Sequence, residues 1–148
     1  MIKTNTLKEK LKNNELVLGT WSSTSSANIV NVLGTTNLDF VVIDLEHASM
    51  SYETVENMVR AAEATQISPI VRVGDDNEQT ILRALETGPR SIMVPHVDSA
   101  VKAKKIVQSC KYFPEGARGL SPYTRIHGFS HANIDISLNG IIDDTMLK

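Results

Sequence analysis

The chain has 148 residues, 15 of them basic and 17 acidic, for a formal net charge of −2, a length suited to one domain with a real core. Hydrophobic residues make up 41% and charged residues 22%, which argues against wholesale disorder, and the near-neutral balance offers no basic stripe to nucleic acid. No apolar run approaches a membrane span, the opening MIKTNTLKEKLKNNE lacks the apolar core of a secretory signal, and Cys110 is a lone cysteine, so the expectation is a cytoplasmic protein with no membrane partner and no disulfide framework.

Residues 1–14 read as a helical lead-in. A first β-branched run predicts a strand over Leu16–Trp21, followed by a helix from Ser26 to about Leu33 with Gly34 near its end. The second strand is expected at Phe40–Ile43. Behind Ser51 as N-cap, Val55, Met58, Val59 and Ala62 recur at the i, i+3, i+4, i+7 spacing of an amphipathic helix. A third strand, Pro69–Val73, leads through Asp75, Asp76 and Asn77 into a helix carrying Ile81, Leu82 and Leu85, closed by Gly88. The fourth strand, Ser91–Val94, precedes a helix with Ala103, Ile106, Val107 and Cys110 after Asp98 and Ser99. Beyond Tyr112 a polar loop holds Pro114, Gly116, Gly119 and Pro122, and a short helix is expected near His131–Leu138; residues 113–148 are read as loop and incomplete C-terminal segment.

Four successive βα units imply parallel strands with right-handed crossovers. Two architectures fit: a small open doubly wound sheet, or half of a (β/α)₈ barrel, whose full form takes roughly 250 residues.

In such folds ligands gather at the carboxyl ends of the strands. The second strand ends in Asp44-Leu45-Glu46-His47, and carboxylates beside a histidine stabilise its imidazolium, which suits a general base; the alternative is a charged surface loop. Arg72 lies inside an apolar strand, so it is either paired, aimed into a polar pocket where its fork would suit a carboxylate or enolate oxygen, or facing solvent from an edge. In Val94-Pro95-His96 the proline ends the fourth strand. His127 and His131 have H-x₃-H spacing, but no HExxH glutamate accompanies them and the intervening Gly-Phe favours a loop over a metal site. Cys110 falls on an apolar helical stripe and reads as core. Glu115-Gly-Ala-Arg118-Gly119 could bind an anion but matches no phosphate loop, and GxGxxG, GxxxxGK[ST] and GxSxG are all absent.

Taken in order, Gly19-Thr-Trp21-Ser-Ser, Asp39-Phe-Val-Val-Ile-Asp44-Leu-Glu-His47, Pro69-Ile-Val-Arg72-Val, Val94-Pro95-His-Val97 and Pro114-Glu-Gly116-Ala-Arg118-Gly119 resemble the HpcH/HpaI aldolase/citrate lyase family, the metal-dependent pyruvate aldolases, from about Leu16 to Gly119. The resemblance implies a (β/α)₈ TIM-type barrel, of which residues 1–148 supply about the first four βα units as a single partial-barrel domain. It implies a carbon–carbon lyase, a class II aldehyde-lyase that cleaves 4-hydroxy-2-oxo acids to pyruvate and an aldehyde through a metal-stabilised enolate. His47 matches the family's catalytic base, Arg72 the enolate stabiliser, Asp44 the strand-end aspartate near the metal-bound water, and Trp21 the aromatic beside the substrate at the end of the first strand. The cation would be Mg, Mn or Co, with its Glu and Asp ligands on the fifth and sixth strands, so none of its protein ligands is expected in this chain.

Where the family has L-D-x-G-A, this chain has Leu85-Glu86-Thr-Gly88-Pro89. Glu86 would close a helix about 15 Å long and so lie at the barrel face opposite His47. It could reach His47 only from a neighbouring subunit, which implies a homo-oligomer; otherwise it is a solvated helix-end acid. Two further alternatives remain. One is a truncated, non-catalytic remnant acting as an association module, and the other is an unrelated flavodoxin-like domain with a phosphate or flavin loop at Thr20–Ser26.

Overall fold

The computed structural model describes residues 5–131. Its elements run α1 (Thr6–Lys12), β1 (Gly19–Ser22), α2 (Ala27–Gly34), β2 (Phe40–Asp44), α3 (Tyr52–Thr65), β3 (Ser68–Arg72), α4 (Glu78–Glu86), β4 (Ser91–Met93) and α5 (Ala100–Cys110), with a 3₁₀ turn at Arg125–His127. Each crossover helix starts on a side-chain cap. Ser26, Ser51, Asn77 and Ser99 accept from the backbone N–H groups of Ile29, Thr54, Gln79 and Lys102, each cap contributing about 1 kcal/mol. Helix α2 ends on Gly34, where a Cβ would stand 1.9 Å from Thr65 Oγ1; the glycine lets α2 close on α3.

The first strand begins later than its apolar run suggests. Leu16 and Leu18 are exposed, and the Leu18 N–H donates to the Asp39 carboxylate at 2.8 Å, so ladder pairing starts only at Gly19. The 3₁₀ turn at Arg125–His127 was not expected, and the helix predicted near His131–Leu138 lies, beyond His131, outside the described residues.

The four strands are parallel and lie in the sheet in chain order, β1-β2-β3-β4. A doubly wound sheet reverses direction at a switch point so that helices cover both faces. Sequential order with crossovers of one hand instead puts every crossover helix on one side, which is barrel winding. Alternation along the strands agrees. Val41, Ile43 and Val71 pack outward with Val30, Val55, Met58, Val59 and Ala62 of α2 and α3, and Ile92 packs with Ile81, Leu85, Ile106 and Cys110 of α4 and α5. Val42 and Ile70, on the opposite face, bury Leu7 of α1, each such side chain contributing about 1.5–3 kcal/mol. Asn5 ties α1 down by donating to the Arg90 carbonyl at 3.1 Å and to Ser91 Oγ at 3.2 Å. Helix α1 thus plugs the concave face at the amino ends of the strands and leaves the carboxyl ends open.

Candidate active site

The two-residue period that turns Val42 and Ile70 inward also turns Asp44, Arg72 and Trp21 inward. Asp44 and Arg72 are register partners at the last rungs of β2 and β3. The guanidinium meets the carboxylate at two points, Nε to Oδ1 at 2.9 Å and Nη2 to Oδ2 at 2.7 Å, the fork geometry that favours Arg over Lys. It also lies over the Trp21 ring, 4.3 Å from the centroid. Arg72 is therefore neither an unpaired core charge nor an edge residue in solvent. Its hydrogen bond holds the Asp44 carboxyl below the usual carboxylate range, against the opposing effect of burial, and in return raises the pKa of Arg72 above its ordinary value.

Asp44 also organises the turn that follows it. Its Oδ1 accepts from the backbone N–H of Glu46 at 2.9 Å and of His47 at 3.3 Å, fixing the segment that carries the histidine. Glu46 folds back: Oε2 lies 3.1 Å from Arg72 Nη1, while Oε1 lies 3.7 Å from His47 Nε2 and 3.4 Å from His96 Nε2. Its side chain is only 11% exposed, whereas those of His47 and His96 are 71% and 82% exposed. One buried carboxylate thus stands between an arginine and two imidazoles that face solvent.

Four of the sequence-predicted residues, Trp21, Asp44, His47 and Arg72, come together here. Glu86 does not. It closes α4 at the amino ends of the strands, where Oε1 accepts from Arg118 Nη2 at 2.9 Å. The expectation of a solvated helix-end acid is corrected, because its Oε2 is buried and Arg118 has no exposed side-chain surface. Arg118 stacks over Tyr112 at 4.7 Å, so the Glu115–Arg118 stretch presents no free guanidinium to an anion. Two residues escaped the sequence reading: Glu46 as the link between Arg72 and His47, and His96. His96 follows β4 as His47 follows β2, but nothing in Val94-Pro95-His96 announces the left-handed backbone that turns it toward the site.

His127 and His131 have different partners. His127 is fully buried with Nδ1 3.2 Å from Thr124 Oγ1, and His131 meets the Tyr123 hydroxyl. Among the described residues no group of three or more His, Cys, Asp or Glu side chains is placed to hold a metal ion. Cys110 is buried, and burial pushes its thiol up to about 11, as a core cysteine requires. No helix among the described residues is long and apolar enough to cross a membrane.

A sequence model of the HpcH/HpaI aldolase/citrate lyase family matches residues 17–139, and the chain belongs to that family. It is 34% identical over 115 residues to the 2-dehydro-3,6-dideoxy-6-sulfogluconate aldolase of Pseudomonas putida, covering 78% of this chain and 45% of the relative. It is 32% identical over 116 residues to the hydroxypyruvate/pyruvate aldolase of Roseobacter denitrificans, with the same two coverages. Among solved structures, an HpcH/HpaI family protein from Burkholderia cenocepacia J2315 superposes with a TM-score of 0.87 at 28% identity, over 96% of this chain and 57% of that one. The citrate synthase SbnG superposes with a TM-score of 0.80 at 33% identity, over 95% and 53%. The chain thus spans about half the length of the curated relatives it matches, and its four βα units form a partial TIM-type barrel.

Proposed function

We propose that this site handles the enolate of a 2-oxo acid in an aldolase reaction, cleaving a 4-hydroxy-2-oxo acid to pyruvate and an aldehyde. The observation that carries the reading is the Arg72 guanidinium at the strand carboxyl ends, gripped along one edge by Asp44 and on one face by Trp21. A guanidinium held that rigidly keeps its remaining N–H donors in a fixed direction, which suits an oxygen on which negative charge develops. In cleavage, His47 takes the proton of the substrate's 4-hydroxyl and the C3–C4 bond breaks. The bond's electron pair passes into the 2-oxo group, the aldehyde departs, and the enolate beside Arg72 is protonated at C3 to give pyruvate. Asp44 acts by holding Arg72 and the His47 turn, and Trp21 by walling the substrate.

The family resemblance implies a divalent cation, which would supply Lewis acidity at the 2-oxo and carboxylate oxygens. The acids present do not fit such a role. Asp44 gives both oxygens to Arg72, Glu46 is divided between Arg72 and two imidazoles, and no third acid joins them among the described residues. No step is therefore routed through a metal here. The proposal includes a cytoplasmic setting, in keeping with a single buried thiol. It also includes a homo-oligomer, in which any part for Glu86 at a neighbouring His47 would require it to leave Arg118.

Exchange of the pyruvate methyl protons with deuterated solvent, followed by NMR with and without added Mg²⁺, tests the reading without an aldehyde. The wild-type chain is expected to accelerate exchange. His47→Ala should reduce it by about 10²–10⁴-fold, and Arg72→Ala by about 10²–10³-fold. Wild-type-like exchange in His47→Ala would sink the assignment, and no exchange above the protein-free rate in the wild type would favour a non-catalytic association module. The likeness to the citrate synthase SbnG supports a second reading, in which the same enolate attacks an acceptor carbonyl instead of being released. Condensation without measurable retro-aldol cleavage would select it.

A further inference from the structure

The loop after β4 places a second imidazole at the site, and the aldolase reading gives it no task. His96 has φ 56°, a left-handed conformation that costs a residue with a Cβ roughly 1 kcal/mol or more and collects at functional positions. Glycine would serve there if the turn alone mattered. The strained backbone is held from outside: the His96 carbonyl accepts from Lys102 Nζ at 2.9 Å, and Lys102, in the first turn of α5, also reaches Asp76 of the β3–α4 loop at 3.7 Å. Held this way, the side chain turns back so that Nε2 lies 3.4 Å from Glu46 Oε1. The same oxygen is 3.7 Å from His47 Nε2, and the other carboxylate oxygen is 3.1 Å from Arg72 Nη1. That second oxygen is buried and makes no aligned hydrogen bond, and the His96 contact is likewise an ion-pair distance and not an aligned hydrogen bond, so the carboxylate is placed by the groups packed around it and not by one bonded partner.

We propose that His96 is a positioning residue: it clamps the Glu46 carboxylate against Arg72, so that the charge Arg72 presents is set from the β4–α5 loop. With Glu46 in place, Arg72 carries two carboxylates and is largely neutralised. With Glu46 released, its positive field opens toward the concave face. As a statement about catalysis this rests on the aldolase reading, and as a statement about the site's charge it does not.

Trp21 gives a direct probe. It is the only tryptophan in the chain, it is half exposed, and its ring lies 4.3 Å from the Arg72 guanidinium carbon. Quenching of its fluorescence by iodide reads local charge and access together, and quenching by neutral acrylamide reads access alone. At one fixed pH and low salt, His96→Gly is expected to raise the iodide quenching constant about twofold. Acrylamide quenching should stay unchanged, and the iodide effect should vanish in about 1 M chloride. His96→Ala should give the same iodide-to-acrylamide ratio although it keeps the backbone penalty, and His96→Gln, which retains a polar side chain of similar reach, should return toward wild type. An unchanged ratio in both truncations overturns the proposal, as does a parallel rise in both quenchers, which reports only a loosened loop. No turnover is needed. Expected quenching without pyruvate exchange would defeat the aldolase reading and leave His96 its role, whereas exchange with unchanged quenching would do the reverse.

Discussion

Two arginines in this chain are built to the same plan at opposite ends of the sheet. Arg72 lies over Trp21 and is gripped by Asp44; Arg118 lies over Tyr112 and is held by Glu86. Their surroundings differ. The Arg72 side chain is 19% exposed beside a half-exposed indole, and two exposed imidazoles reach the Glu46 carboxylate that contacts it. The Arg118 side chain is 0% exposed and Tyr112 is buried, with His127 tilted against the tyrosine ring and Arg125 bridging Thr87 to Glu63. On the proposed reading, the same triad of arginine, carboxylate and aromatic ring serves as a ligand platform where solvent reaches it and as a brace where it does not. On that reading, open access at the strand carboxyl ends is what lets Arg72 meet a ligand.

The comparison breaks first on stability. Arg118→Ala would leave the mostly buried Glu86 carboxylate without its cation, although it also removes two buried guanidinium nitrogens that lack partners, so it is expected to cost roughly 3 kcal/mol, read from the urea midpoint with m-value analysis. Arg72→Ala should cost clearly less, because Asp44 keeps two backbone N–H donors and solvent can enter. Equal losses would mean that both arginines are braces. Gly88→Ala should come next, at about 1–3 kcal/mol. Gly88 has φ 102° and its added Cβ would fall 1.7 Å from Arg125 Nη1, so the substitution both strains the backbone and displaces a brace. It should leave Trp21 emission untouched.

These differences explain what the sequence made legible. Asp44 and His47 could be noticed as polar groups directly after an apolar run and Arg72 as a charge inside an apolar strand, whereas Trp21, and the particular roles of all four, came only from the family resemblance. The βα alternation left two architectures open, and the sequential strand order decided between them. Glu46 and His96 were missed for a different reason. Their meeting depends on two loops folding toward each other across β2, β3 and β4, and His96 requires a left-handed backbone that nothing in Val94-Pro95-His96 announces. The Glu86–Arg118 pair spans 32 residues and joins a helix end to a loop, a contact that no periodicity encodes. Only an excluded role was foreseeable there, from the length of α4, which keeps Glu86 away from the strand carboxyl ends.

The two ends should also separate in pH. Burial lowers the pKa of His127 below its ordinary 6.5, so below that value the unfolded chain binds a proton that the folded chain resists. The stability associated with His127 is therefore complete above about pH 6.5, falls as pH drops toward the lowered folded value, and levels off beneath it. Asp44 is also depressed, by the Arg72 hydrogen bond, from an ordinary 3.8. Its contribution is complete above that value and is lost as pH falls through the lower folded value. Urea midpoints measured downward from pH 7.5 should thus decline in two stages, the brace end first, and His127→Gln should flatten only the first stage. A single decline confined to pH below 4 would show that His127 is not held neutral by the fold.

The smallest effect expected is on Cys110, which packs with Ile106 against α4 and whose thiol is raised to about 11. A thiol reagent at pH 8 meets almost no thiolate in the folded chain, so labelling should proceed only through opening of the α4–α5 layer. Its rate should then follow opening of that layer and not global stability across the variants above. Arg118→Ala should label fastest, both because the brace is lost and because the opened layer exposes the thiol. Arg72→Ala should label at nearly the wild-type rate. If Arg72→Ala instead accelerated labelling as much as Arg118→Ala, the ends of the sheet would be opening as one unit, and solvent access alone could not be what separates platform from brace.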